Sequence, residues 1–391
     1  MSFIPSAIDF LKRGTRTANH FGFQDLDYLR KHRVRQVPEQ KVTHSATATD
    51  RRVDDLSGML TSGICAYIDH QFYTTGDPAL FYTTHTVPRT GETAISLQVL
   101  GVEKSIAESL LIQTIRALLE DLGFNDHIIR VNSLGDQESS TRYIRELTNF
   151  FRKRIEDLPV PARELMKDHV FSTLMYLIEK DHELAQKSPN PLEYLSDQSR
   201  KHFREVIEFL DMSQAPYEID SKLLGNHQCY SDAIFSVELT GESHDPETVQ
   251  PLYIRGGRYN TFVSRVSKSG IPAAGAVLVL RGKKSPAQVP KMRRGPKASV
   301  FVVQLGFGPK IRSLLLVHEL QRAGVSIIQD IANDSLSSQL EKAEAYGARY
   351  AVIIGQKEFI DGNVILRNLE ARSQEHVPIA GLPSHLKRLT R

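Results

Sequence analysis

Apolar residues recur every three or four positions from Ser105 to Leu122, a spacing that predicts a helix ended by Gly123. Downstream, paired charges at helical spacing and prolines at the joints predict a helical insertion at about 136–215. Its predicted helices are Ser139–Ile155, Arg163–Lys187 and Ser196–Asp211. The N-terminal part is therefore expected to contain one long apolar helix and a charged helical insertion.

Short apolar runs bounded by turn residues predict strands on both sides of the insertion. They are Ile128–Asn132, Tyr217–Ile219, Ala233–Leu239, Leu252–Arg255 and Gly275–Leu280. The mixture of long helices and antiparallel strands indicates an α+β domain over residues 1–282, with an antiparallel sheet flanked by helices.

The pattern changes to an alternation of strands and helices in residues 298–391. Predicted elements are strands Ser299–Gln304, Val325–Gln329 and Tyr350–Ile354, helices Lys310–Ala323 and Leu336–Tyr346, and a hairpin through Asp361-Gly362 into Asn363–Leu369. A closing helix is predicted at Ser384–Leu389. This alternation indicates an α/β layer with a largely parallel sheet.

A basic segment joins the two parts. Seven basic residues and no acid lie between Arg281 and Lys297, interleaved with prolines, so residues 283–297 are predicted to be an extended linker. Two interpretations remain open at this point: a solvated tether, or a segment that contacts phosphates.

Composition narrows the class of protein further. Hydrophobic residues make up 40% of the chain and charged residues 24%, as in ordinary globular proteins, and the net charge is only +3. Cys65 and Cys229 lie far apart, which excludes a disulfide framework and a zinc site of the usual spacing. No apolar run reaches the roughly 20 residues that cross a membrane, and Met1–Phe10 lacks signal-peptide features. A cytoplasmic protein without membrane contact is expected.

Three segments carry a resemblance to a known family. Arg255-Gly-Gly-Arg-Tyr259 resembles AGGRYD, the second histidine motif of histidyl-tRNA synthetases. Pro191–Phe203 resembles the insertion before the family's first histidine motif, and Gln339–Asn363 resembles its anticodon-binding domain. The matches occur in family order and cover most of the chain from about Leu97 onward. The chain is thus identified as a divergent member of this class II aminoacyl-tRNA synthetase family.

The resemblance implies a sheet that holds ATP and an amino acid on one face, an anticodon-binding α/β domain, tRNA as partner and a homodimer. The implied catalytic residues are Arg89, Glu92 and Arg281. The implied ligand-binding residues are Thr61, Gln98, Glu103, Tyr230, Gly256, Gly257, Arg258 and Tyr259. If the site is active it is expected to use ATP and Mg²⁺, because activation of a carboxylate builds negative charge on the α-phosphate. No other metal or cofactor is expected.

Structural alternatives exist for several of these residues. Arg258 could pair with an acid, Tyr259 could lie in the core, and Arg281 could simply begin the linker. Gln98 and Glu103 are one residue further apart than the family's corresponding pair. A one-residue slip on a strand reverses the face, so one of these two is expected to miss the pocket.

Departures from the family's motifs bear on activity. The stretch Gly225–Ser236 corresponds to the first histidine motif, RGLDYYTGTVFE, and Gly225 stands where that motif has its arginine. Met59 stands where a glutamate would bind the substrate's ammonium group. These departures predict a tRNA-binding or regulatory protein with weak or no histidine ligation. The alternative is a divergent but active histidine–tRNA ligase. The C-terminal domain favours RNA over regulation of a metabolic enzyme, because regulatory subunits of this type typically lack it.

Overall fold

The computed structural model describes residues 4–26, 60, 63–65, 67–68, 78–87, 90–225, 229–240, 250–267, 270–286 and 298–390. Two sheets with flanking helices organise these residues, one formed by the N-terminal part and one by the C-terminal part. No helix among them is long and apolar enough to cross a membrane.

The N-terminal sheet is built from strands on both sides of the helical insertion. They are β1 (Gln24–Asp25), β2 (Ala79–Thr86), β3 (Glu92–Leu100), β4 (His127–Ser133), β5 (Tyr217–Ile219), β6 (Ser231–Leu239), β7 (Leu252–Arg258) and β8 (Ala273–Lys284). Within the described residues the spatial order is β1-β2-β3-β8-β7-β6-β4-β5. The central pairings are antiparallel, as predicted, whereas the two edge strands β1 and β5 pair parallel to their neighbours.

Helices of the N-terminal part cover this sheet and form the insertion. They are α1 (Ala7–His20), α2 (Ile106–Leu122), α3 (Gln137–Arg152), α4 (Val160–Asp168), α5 (Val170–Glu179), α6 (Glu183–Gln186), α7 (Asp197–Met212) and α8 (Asn260–Ser267). The predicted apolar helix is confirmed as α2, and Gly123 ends it in the left-handed conformation.

The prediction of one helix over Arg163–Lys187 is wrong, because the chain forms α4, α5 and α6 there. His169 has an extended backbone, and its ring nitrogen accepts a hydrogen bond from the Phe171 N–H, which starts α5. His182 does the same for α6 through Leu184. Local side-chain caps of this kind compete with a continuous helix and break the predicted one.

The C-terminal part forms its own five-stranded sheet within the described residues. Its elements are β9 (Val300–Gln304), α9 (Phe307–Ala323), β10 (Ile327–Gln329), α10 (Leu336–Tyr346), β11 (Tyr350–Ile354), α11 (Gln356–Asp361), β12 (Asn363–Asn368), β13 (Ser373–Pro378) and α12 (Leu382–Leu389). The order is β10-β9-β11-β12-β13.

Two details of this domain differ from the predictions. β9, β10 and β11 are parallel, but β12 and β13 are antiparallel, so the sheet is mixed rather than largely parallel. A short helix, α11, separates β11 from β12, so Asp361-Gly362 ends a helix instead of forming a tight hairpin. The two strands still pair with each other.

The C-terminal domain packs directly against the helices behind the first sheet. The apolar side of α9 shares one continuous buried core with α1 and α2. The His20 Nε2 lies 3.1 Å from the Val317 carbonyl oxygen, and Gln321 donates to the Thr17 hydroxyl at 3.3 Å. Asp334 is bound by Lys104 of the first domain and by Lys310 of its own. The two domains therefore form a single packed body in the described residues.

Candidate functional site

The two faces of the eight-stranded sheet have different chemistry. Because side chains alternate along a strand, residues such as Leu97, Phe235 and Leu278 project toward the helices and are buried there. The opposite face carries polar side chains on several neighbouring strands, and we call it the polar face. It includes Thr83, Ser96, Gln98, Ser236 and Arg255.

A buried hydrogen bond joins two of the predicted ligand residues on this face. The Tyr259 hydroxyl donates to the Gln98 Oε1 at 3.0 Å, and both residues are fully buried. Gly63 packs on the Gln98 amide so closely that an added Cβ would lie 2.2 Å from its oxygen. The structure thus brings Gln98 and Tyr259 together, and burial raises the pKa of the Tyr259 hydroxyl well above its ordinary value.

Tyr230 lies beside them between two glycines. An added Cβ at Gly225 would lie 2.9 Å from one side of the Tyr230 ring, and one at Gly257 would lie 3.2 Å from the other. Gly225 also has a φ of 59°, which side chains other than glycine adopt at a cost. An arginine at position 225 therefore has neither the backbone conformation nor the space that it needs in this structure.

The buried Arg258 is held by one acid and two backbone carbonyls on the helix side of the sheet. Its guanidinium group donates to both oxygens of Glu108 on α2 at 2.8 Å, and to the backbone oxygens of Val102 and Lys104. His202 of the insertion also contacts Glu108, at 2.9 Å. This arrangement is the structural alternative foreseen for Arg258, and it takes the side chain away from the polar face. Gly256 projects the same way and lies tightly against Phe235.

Burial opposes ionisation of Glu108, but the positive charges of Arg258 and His202 outweigh it and lower its pKa from 4.5 to about 2. The same carboxylate raises the pKa of His202 against the effect of burial. The result is a buried triad of ionisable side chains that ties β7, α2 and α7 together.

Two of the three predicted catalytic residues, Glu92 and Arg281, lie at the same end of the β3–β8 pair. Glu92 accepts hydrogen bonds from the Gly282 N–H at 2.9 Å and the Thr90 hydroxyl at 2.8 Å, at the end of the β3–β8 pair. Arg281 lies near that end with its guanidinium carbon 5.3 Å from the Tyr253 ring centre. Glu103 is exposed on the loop after β3, at the other end of the strand, so Gln98 and Glu103 do not share a pocket. Arg89 and Thr61, like Met59, lie outside the described residues.

These positions do not suit a shared magnesium ion. Glu92 begins β3, which has nine residues, and Glu103 lies beyond its last residue, Leu100. A strand rises about 3.3 Å per residue, so the two carboxylates are far too distant to bind one ion. Among the described residues, no group of three His, Cys, Asp or Glu side chains could hold a metal.

Arg255 is a polar-face residue that the sequence did not single out. It is half-buried on β7, opposite Ser236 of β6 and Val277 of β8. Its position in the sequence is the one before Gly256-Gly257, where the family's motif has alanine. The sequence therefore showed Arg255 as a departure from AGGRYD, but the face of the sheet on which its side chain lies depends on the orientation of β7.

Comparisons with known proteins agree with this architecture. A family model described as an anticodon binding domain matches residues 300–389. The histidine–tRNA ligase of Halalkalibacterium halodurans is 27% identical over 293 residues, 74% of this chain and 68% of that protein. That of Geobacillus thermodenitrificans is 26% identical over 337 residues, 82% of this chain and 78% of that protein. The solved structure of apo S. aureus histidyl-tRNA synthetase has the same fold, with a TM-score of 0.51, 16% identity and coverage of 99% and 100%.

The large mixed sheet with flanking helices and the C-terminal anticodon-binding domain define a class II aminoacyl-tRNA synthetase homologue. Within that class, the anticodon binding domain and the 26% to 27% identity to histidine–tRNA ligases relate the chain to the histidyl-tRNA synthetases.

Proposed function

We propose that this protein is a tRNA-binding or regulatory member of its family with weak or no histidine ligation. The observation that carries the proposal is Gly225, whose positive φ and close contacts with Ile234 and Tyr230 leave no room for the arginine of the family's motif. An arginine of this kind stabilises the negative charge that develops in the transition state, and loss of one such donor costs about 10²- to 10³-fold in rate.

Two further features support the same conclusion. Arg258 is bound to Glu108 on the helix side of the sheet, and Glu92 is bound to the Gly282 N–H. Both side chains are thus engaged in contacts within the protein. ATP and Mg²⁺ belong to the alternative function, a divergent but active ligase, for which the buried Gln98–Tyr259 pair is the favourable feature.

The test is histidine-dependent exchange of pyrophosphate into ATP by the purified full chain. The expected rate is at least about 100-fold below that of an active histidine–tRNA ligase assayed in parallel. Robust exchange would instead establish the active-ligase alternative. A low residual rate is compatible with the proposal, because the rest of the site still contributes binding.

The partner in this proposal is tRNA, held by the C-terminal domain. Arg349 and Lys357 are exposed, and Arg367 is half-buried on β12, beside the exposed strand β13. These side chains can contact phosphates or bases, while the neighbouring basic linker would add charge that is not selective for sequence.

The proposal includes a homodimer, as is usual for this class of synthetase. Light scattering at micromolar concentration tests it, and a monomeric mass would contradict it without affecting the fold.

A further inference from the structure

The polar face contains an arginine without a counter-charge. Among the residues that the structure describes, no carboxylate lies within ion-pair distance of Arg255, and its Nε is shielded from solvent with no hydrogen-bond partner. Its neighbours in register are Ser236, which is neutral, and Val277, which is apolar. The carboxylate in the next row of β6, Glu238, is already bound by the Arg130 Nε at 2.9 Å.

A half-buried, unpaired guanidinium group costs stability, because part of its hydration is lost and no protein group replaces it. The ring of Tyr253 compensates only in part, with its centre 5.9 Å from the Arg255 guanidinium carbon. The Arg281 guanidinium carbon also lies 5.3 Å from the centre of this ring, so two guanidinium groups approach the same tyrosine. Such an arrangement attracts an anion.

The position of Arg255 relates it to the rest of the polar face. On β7 it is two residues from Gly257, so both face the same side of the sheet. On that side, Gly257 lies against one edge of the Tyr230 ring and Gly225 lies against the other. Arg255 therefore supplies a positive charge close to the place where position 225 has no side chain.

We propose that Arg255 is an anion-binding residue of the polar face that holds the carboxylate or phosphate group of a small-molecule ligand. Guanidinium suits both groups, because its planar donors form paired hydrogen bonds with two oxygens. The inference rests on the geometry of the sheet alone and is independent of the RNA-binding proposal.

The experiment is isothermal titration of the full chain with sodium pyrophosphate, with L-histidine and with L-histidinol, which lacks the carboxylate. Wild type is expected to bind pyrophosphate, L-histidine or both. Arg255→Met should weaken that binding by about 10- to 100-fold, and Arg255→Lys by less, because it keeps the charge without the paired donors. A larger effect on L-histidine than on L-histidinol identifies a carboxylate, and an effect on pyrophosphate identifies a phosphate.

Arg312→Met is the matched control, since Arg312 is a half-buried arginine of α9 in the other domain. It should leave the titrations unchanged. Thermal unfolding separates ligand binding from a structural role: Arg255→Met should melt at or above the wild-type temperature, because it removes an unpaired charge. Equal affinity of wild type and Arg255→Met for every probe, or no binding of pyrophosphate and L-histidine to wild type at millimolar concentration, would overturn the proposal. A clear fall in melting temperature would also overturn it by making Arg255 structural.

Discussion

At the scale of single residues, Glu108 is the centre of the buried charges. It is fully buried and accepts hydrogen bonds from Arg258 and contacts His202. Removing one member of a buried ion pair leaves the other charge without compensation, which is more costly than losing the attraction itself. This residue matters to the fold although no family motif pointed to it.

Glu108→Gln is therefore expected to reduce the free energy of unfolding at pH 7 by about 3–5 kcal/mol, measured by urea denaturation. Glu138→Gln is the control: Glu138 forms an exposed pair with Arg142 at 3.6 Å, and its loss should cost less than about 0.5 kcal/mol. Equal effects of the two substitutions would show that the buried triad does not stabilise the fold.

The same residue has a defined pH dependence. Because folding lowers the pKa of Glu108 from 4.5 to about 2, its contribution is complete above the unfolded pKa and is lost as pH falls toward 2. The acid loss of stability should accordingly be shallower in Glu108→Gln than in wild type.

At the scale of elements, α2 connects the sheet to the C-terminal domain. Its first turn carries Glu108. Its later turns contact α9: the Gln113 Nε2 of α2 lies 3.2 Å from the His318 Nδ1 of α9. Glu120 near its end contacts His318 at 3.2 Å and Arg322 at 3.3 Å. A cleft of about 520 Å³ opens at this junction, lined also by Arg16 and His20.

Buried histidines at this junction are expected to make the packing of the C-terminal domain against α1 and α2 less stable at acidic pH. Burial lowers the pKa of His20, with a smaller opposite effect of the Val317 carbonyl and a further lowering by His318. Burial also lowers the pKa of His318, and this effect is larger than the opposite effect of Glu120. The positive charges of Arg322 and Arg116 lower the pKa of His318 further. Both pKa values are thus lower in the folded chain than in the unfolded one, so the unfolded chain binds more protons as the pH falls through the ordinary histidine range. The stability contributed by the junction is therefore present above about pH 6.5 and is lost on acidification.

Thermal unfolding measured between about pH 5.5 and 7.5 tests this expectation. His20→Gln combined with His318→Gln should make the dependence of melting temperature on pH shallower. His376→Gln, at an exposed position of β13, is the control and should leave the slope unchanged. An identical slope in the double variant would rule out the junction as the source of acid sensitivity.

At the scale of the whole molecule, the domains share a buried core, so the basic linker does not by itself hold them together. Most of it, residues 287–297, lies outside the described residues. Its interpretation as tether or phosphate-binding segment stays a prediction. In a tRNA complex its charges would neutralise phosphates and release counterions without selecting a sequence.

Replacing Lys291, Arg293 and Arg294 by alanine is expected to weaken tRNA binding about equally for all tRNAs and to flatten its salt dependence, measured by filter binding across salt concentrations. The control replaces three exposed lysines of the insertion: Lys153, Lys180 and Lys201. If the linker variant binds tRNA with unchanged affinity and salt dependence, the linker is a tether that does not contact phosphates.

Features that neighbouring residues encode could be predicted from the sequence alone. The helices α2 and α10 and the strands β5 and β11 follow from local periodicity and from glycine stops, and they occur where they were predicted. Motif order was enough to predict the family and both sheet-containing domains, because each motif lies within one short segment. The departure at Gly225 was also readable there.

The direction in which each motif residue points depends on how distant segments of the chain pack together. Arg255 and Arg258 are three positions apart, yet alternation along β7 sends one to the polar face and the other to Glu108, 150 residues earlier in the chain. Strand register and the packing of α2 set these directions, and both depend on contacts between distant segments. The same is true of the bond between Gln98 and Tyr259 and of the docking of α9, since no local pattern encodes which surfaces will meet.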